Sequence, residues 1–83
     1  KMLKADGLNE AIIGVGSRCG QKDVLVYDVE KVIEILMTRD GMTYEEAEEF
    51  FNFNIGGGWY GKETPMWVRP CGIDDLEGEE VWN

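Results

Sequence analysis

A few stretches hold residues whose types and spacing could do chemistry. The first is a row of carboxylates, Glu45, Glu46, Glu48 and Glu49. Glu45 and Glu49 share a helical face at i,i+4, as a general acid/base pair could. A working pair needs a desolvated cleft that separates the two pKa values. Nothing in the pattern supplies one, and a solvated helix face accounts for the row. The two thiols, Cys19 and Cys71, are too few and too far apart in sequence for a zinc site, which takes three or four such ligands. The chain has no histidine, which removes the usual general base, the commonest transition-metal ligand and every histidine-based triad.

Two glycine-bearing stretches resemble ligand loops and fail on spacing. Gly14-Val-Gly16 with Gly20 would need a glycine at 19 to form G-x-G-x-x-G, and that position is Cys19. The stretch is followed by a strand pattern, so no helix N-terminus waits for a phosphate. Asp40-Gly-Met-Thr-Tyr-Glu45 lacks the ligand series and distal glutamate of a calcium loop. A turn followed by a helix cap explains each of its residues. The remaining stretch is Gly56-Gly-Gly-Trp-Tyr60, with Trp67 nearby. Glycines permit positive φ and close approach of another chain. Tryptophan and tyrosine are enriched at interface hot spots. Gly56, Gly57, Gly58, Trp59, Tyr60 and Trp67 are therefore the candidate interface, with a place in the core as the competing role for the aromatics. No catalytic residue, cofactor-binding residue or metal ligand is assigned, and no cofactor is expected.

Charge narrows the partners. Seventeen acidic residues against eight basic give a net charge of −9 over 83 residues. Direct nucleic-acid binding needs a basic footprint, and an anionic membrane surface would repel this chain. No apolar run approaches the roughly 18 residues of a membrane span. Nothing resembles a signal peptide, so reduced thiols are the expectation. The acidity serves solubility, or it mimics a polyanion and occupies a basic groove on a nucleic-acid-binding protein.

These residues must be positioned by one small domain, read as residues 1–70, followed by an acidic tail at 71–83. The tail carries Ile73, Leu76, Val81 and Trp82 among its carboxylates. It reads as poorly ordered, or as a peptide that docks its apolar residues. Glu10-Ala-Ile-Ile-Gly-Val-Gly16 reads as a strand with a bulge or close backbone approach at Gly14. Val24-Leu-Val-Tyr27 is apolar throughout and reads as a strand buried on both faces or at a sheet centre. Asp28 suits a helix N-cap, with Tyr27 and Val32 as a hydrophobic staple. Val29, Val32, Ile33 and Leu36, with Met37 beside them, follow helical spacing. Ile35 lies off that stripe, against its own chain or a second subunit. Gly41 ends the first helix, and Thr43-Tyr-Glu-Glu46 has capping-box form for the second. Tyr44, Ala47, Phe50 and Phe51 give that helix its apolar face. Trp59-Tyr60 and Met66-Trp-Val-Arg69 read as strands flanking a turn at Gly61-Lys-Glu-Thr-Pro65.

Residues 42–68, with Gly41 before them, resemble a group of small proteins encoded by tailed bacteriophages. That group carries G-M-[ST]-x-E-E-A, here Gly41 to Ala47, then an aromatic with F-N-[IV], here ending at Phe53-Asn-Ile55. G-x-x-T-P follows before an apolar strand, here Gly61 to Pro65. Ala11-Ile-Ile-Gly14 and Val26-Tyr-Asp28 are similar too, so the likeness spans about residues 10–69. Gly56-Gly-Gly58 is richer in glycine than the pattern. The resemblance carries no activity or site residues. It implies a phage-encoded protein working in a host bacterial cytoplasm.

The expected fold is α+β: a small antiparallel sheet in ββ-αα-ββ order with a helical hairpin packed on one face. The expected core is Ile12, Val24, Val26, Val32, Ile33, Leu36, Ala47, Phe50, Phe51 and Trp67. The expected function is non-enzymatic: an accessory protein that binds a host or phage protein, or itself as a homodimer. A small enzyme using the carboxylates or Cys19 would instead need a pocket with convergent polar groups.

Overall fold

A computed structural model describes residues 1–80. Strand β1 (Ile12–Gly16) and strand β2 (Val24–Asp28) lead into helix α1 (Val29–Asp40) and helix α2 (Tyr44–Asn54), and strand β3 (Met66–Val68) follows. Single 3-10 turns lie at Asn9–Ala11 and Ile73–Asp75. The sheet order is β1-β2-β3, so β2 is central. The chain is α+β with a three-stranded mixed sheet.

Local chemistry sets the helix boundaries. The Asp28 carboxylate accepts hydrogen bonds from the backbone N–H of Glu30 at 2.9 Å and of Lys31 at 3.4 Å. Gly41, at φ 73°, closes α1 in the left-handed conformation. Thr43 and Glu46 form the reciprocal capping box: Glu46 N–H donates to Thr43 Oγ1 at 3.1 Å, and Thr43 N–H donates to Glu46 Oε1 at 2.9 Å. Thr43→Ala should therefore lower stability by about 1 kcal/mol. Urea unfolding checks this, with a reduced midpoint and an unchanged slope as the expected result.

The sheet departs from the expectation in two ways. First, β3 pairs with β2 in parallel, Val26 opposite Met66 and Tyr27 opposite Trp67. β1 already occupies one edge of β2 in an antiparallel hairpin. The chain returns to the other edge only after both helices, the kind of crossover a parallel pair requires. Second, Trp59-Tyr60 is not a strand. The Tyr60 N–H donates to Thr64 Oγ1 at 2.7 Å, and the Thr64 hydroxyl donates to the Gly61 carbonyl at 2.7 Å. This side-chain bond takes the donor that a ladder would have used. The turn at Gly61–Pro65 forms as expected, with Gly61 at φ 114°. The bulge in β1 also forms, between Ile12 and Gly14.

The core joins Leu8 and Ala11 to Tyr27, to Val29, Val32, Ile33 and Leu36 of α1, and to Ala47 and Phe51 of α2. Five expected members differ. Val24 and Val26 are only half-buried and Phe50 is exposed. Tyr27 carries the burial of β2 instead, with Leu25 packed behind it. A strand apolar at every position does not disclose which alternate set faces the helices. Ile12 and Trp67 are half-buried, packed on the core rather than enclosed by it. Ile35 packs against its own chain.

Residues 71–80 are exposed throughout, Ile73 and Leu76 included, so these two do not dock on the domain. Val81 and Trp82, the other apolar residues of the tail, lie outside the described residues.

Candidate functional site

Trp67 organises the site. Its ring lies on Tyr27, centroids 4.8 Å apart, and meets Phe51 edge-on at 5.4 Å. The edge-on contact is an arrangement favoured by the ring quadrupoles, while the Tyr27 and Trp67 rings are tilted by 36°. Tyr27 in turn accepts a hydrogen bond on its hydroxyl from the Ala5 N–H at 2.8 Å. This bond lays the N-terminal segment over the core. Two further contacts fix the segment: Leu3 N–H donates to the Glu63 carbonyl at 3.3 Å, and Arg39 donates to the Gly7 carbonyl at 2.7 Å.

An apolar cleft of about 580 Å³ opens between this segment, the C-terminal ends of α1 and α2, and the 58–65 loop. Leu8, Leu36, Ile55 and Trp67 line it, with Leu3, Phe50, Tyr60 and Pro65 also on its walls. The polar groups on its walls are Lys4, Asp6, Arg39, Asp40, Asn54 and Thr64. Two aromatics on its walls are open to solvent, Tyr60 at 69% and Phe50 at 39%; Phe53 (81%) and Trp59 (73%) are exposed but do not line it.

Of the six candidate interface residues, Gly58, Tyr60 and Trp67 line this cleft; Gly56, Gly57 and Trp59 do not. The three glycines pack closely against their own chain. None of the three has positive φ. A Cβ on Gly56 would sit 2.8 Å from the Phe51 ring, and one on Gly58 would collide with the Tyr60 ring. Gly56 and Gly58 make room for aromatics of their own chain, and a Cβ on Gly57 would lie 3.2 Å from the Asn52 carbonyl oxygen.

Sequence reading missed Leu3, Leu8 and Arg39, which reach the cleft only through tertiary contacts. It also missed the outward turn of Phe50 and Phe53, for which a signal existed. Phe53 lies about 200° round the helix from Phe51, so both cannot face the core. Phe50 and Phe53, at i,i+3, share a side.

No family model, catalytic or otherwise, no curated protein and no solved structure matches this chain.

The remaining features that could do chemistry are placed as follows. Cys19 and Cys71 are free, exposed thiols. Among the described residues no group of three or more metal-ligating side chains comes together. Likewise, no helix among them is long and apolar enough to cross a membrane. Glu48 leans from the α2 row to accept a hydrogen bond from Tyr44 at 3.1 Å and to pair with Arg69 at 3.5 Å. The bond to Glu48, which the protonated phenol donates, raises the Tyr44 pKa.

Arg39 grips Asp40 at the cleft rim through two bonds, at 2.9 and 3.0 Å. The hydrogen bond from Arg39 holds the Asp40 carboxyl below its ordinary value. Its contribution to stability is thus fully present above the ordinary carboxylate range. It is lost as pH falls through the lowered folded value, where Asp40 takes up a proton. Asp40→Asn should make the fall in stability below about pH 4 less steep. At neutral pH the change should be small, because the pair is exposed. Unfolding midpoints of both proteins across the acid range provide the check.

Proposed function

We propose that this chain is a binding protein whose apolar cleft receives a segment of another protein. The observation that carries the reading is that exposed Phe50 and Tyr60 stand with Trp67 on the walls of one apolar cleft, with exposed Phe53 in the hollow that adjoins it. Large aromatics of this kind anchor interfaces, and clustered exposed apolar surface marks binding sites. In the setting that the bacteriophage resemblance implies, the partner is a host or phage protein in a bacterial cytoplasm, and the role is that of a non-enzymatic accessory. The two helices, packed as a hairpin on one face of the sheet, are the scaffold.

The test is tagged co-purification from bacterial cells with variants on and off the cleft. Phe53→Glu, in the hollow that adjoins the cleft across Phe50 and Asn54, and Tyr60→Ala, in the cleft itself, touch exposed side chains and should leave folding intact. A partner held by the wild type should be lost at least about tenfold with either. It should be retained with Val15→Thr on β1, outside the cleft. Retention by all three variants would overturn the reading. Retention by all three with loss in high salt would favour the polyanion-mimic alternative, in which carboxylates rather than aromatics make the contact.

A further inference from the structure

We propose that the occupant of the cleft is a basic amphipathic segment, an apolar or aromatic anchor flanked on the same chain by lysine or arginine. This rests on the protein-binding reading above and adds the chemistry of the partner.

The cleft does not end at α2. Asp40, Phe50 and Asn54 are shared walls with a second, shallower hollow of about 460 Å³ that continues past them. Met42 and Phe53 give this hollow its apolar surface, and Glu46 and Glu49 stand beside them. Glu46, Glu49 and Phe53 follow one another at i, i+3 and i+7, so carboxylates and aromatic run along one side of α2. An apolar track thus passes from Trp67 to Phe53, bordered at its far end by acid.

Charge decides among occupants. The deep part of the cleft has two cations, Lys4 and Arg39. Arg39 is already committed to both Asp40 oxygens and to the Gly7 carbonyl. Among the described residues no wall of the second hollow is basic. Lys4 is left against Asp6, Glu46 and Glu49 on a chain of net charge −9. An acidic segment would be repelled at this end. A second copy of the chain would bring the same excess of negative charge. A lysine or arginine can lay its aliphatic stem or cationic head on Phe53 while its charge meets Glu49.

The experiment uses the full chain and three synthetic helical peptides with one shared Leu/Trp pattern. Their polar faces are Lys/Arg, Glu or Gln. Calorimetry gives affinities, and amide and indole chemical shifts give the site. The basic peptide should perturb Phe50, Asn54, Tyr60 and the Trp67 indole. It should bind at least about fivefold more weakly when salt rises from about 0.05 to about 0.3 M. Glu49→Lys and Phe53→Ala should each weaken it at least about fivefold. Equal binding of the Glu or Gln peptide in the cleft would overturn the basic class and leave the cleft as a protein-binding site. So would a dimer by light scattering that buries the cleft. Basic-peptide shifts confined to residues 74–80 would overturn it as well. If no peptide enters the cleft while the co-purified partner still depends on Phe53 and Tyr60, the partner class alone is wrong. If that dependence also fails, the binding reading falls with it.

Discussion

Tyr27→Ala should cost about 3–5 kcal/mol, the range for emptying a large aromatic site in a core. A small domain has only about 5–15 kcal/mol in total, so the variant should be largely unfolded at moderate temperature. The effect is large because Tyr27 serves three purposes at once. Its ring is fully buried at the centre of the sheet. It is the surface on which Trp67 lies. Its hydroxyl holds Ala5, and with it the N-terminal wall of the cleft. Tyr27→Phe separates these roles. It keeps the ring and removes only the bond to Ala5, for about 1 kcal/mol. Urea unfolding followed by tryptophan fluorescence distinguishes the two. If Tyr27→Ala cost less than Tyr27→Phe plus about 1 kcal/mol, the central place given to the ring would be wrong.

Gly56→Ala should destabilise by about 1–3 kcal/mol, the usual range for overpacking. Elsewhere such a change often helps by about 0.4–1 kcal/mol, because it restricts the unfolded chain. Gly56 is not in the left-handed region, so backbone strain is not the cause. The added Cβ would lie 2.8 Å from two atoms of the Phe51 ring. That ring is buried and cannot yield freely: Trp67 meets it edge-on and the Arg69 guanidinium stands 5.9 Å over it. Gly14→Ala is the control, since a Cβ there meets nothing within 4 Å, and it should be near neutral. Thermal unfolding of the two variants should give shifts in clearly different amounts. Equal shifts would remove the packing explanation.

What the sequence disclosed was local, and what it withheld was not. Asp28, Gly41 and the Thr43–Glu46 box act within a turn or so of their own position, and all form as read. The Gly61–Pro65 turn belongs to the same group. The direction of β3 depends on which edge of β2 is left vacant, a fact about the whole sheet. The Tyr60 N–H depends on a competition that Thr64 wins at close range. Val24-Leu-Val-Tyr27 offered two faces of similar hydrophobicity, and the helices chose the one with Tyr27. The site was half legible. Tyr60, Gly58 and Trp67 stand out by type, and they do line the cleft. Its other wall comes from Leu3 to Leu8, pinned by Arg39 across a long stretch of chain, and no local pattern connects them.

The parallel pairing of β3 also orders events in time. The β1–β2 hairpin and both helices can form from contacts between near neighbours. β3 can join only after residues 29–65 have folded back along the sheet, because the loop-closure cost comes before its contacts repay it. It is also the shortest strand and sits at an edge. The last piece to arrive, and the first to leave in local opening, thus carries Trp67. The cleft is completed only when that late step closes. An occupant bound against Trp67 would hold β3 in place and slow amide exchange along Met66–Val68.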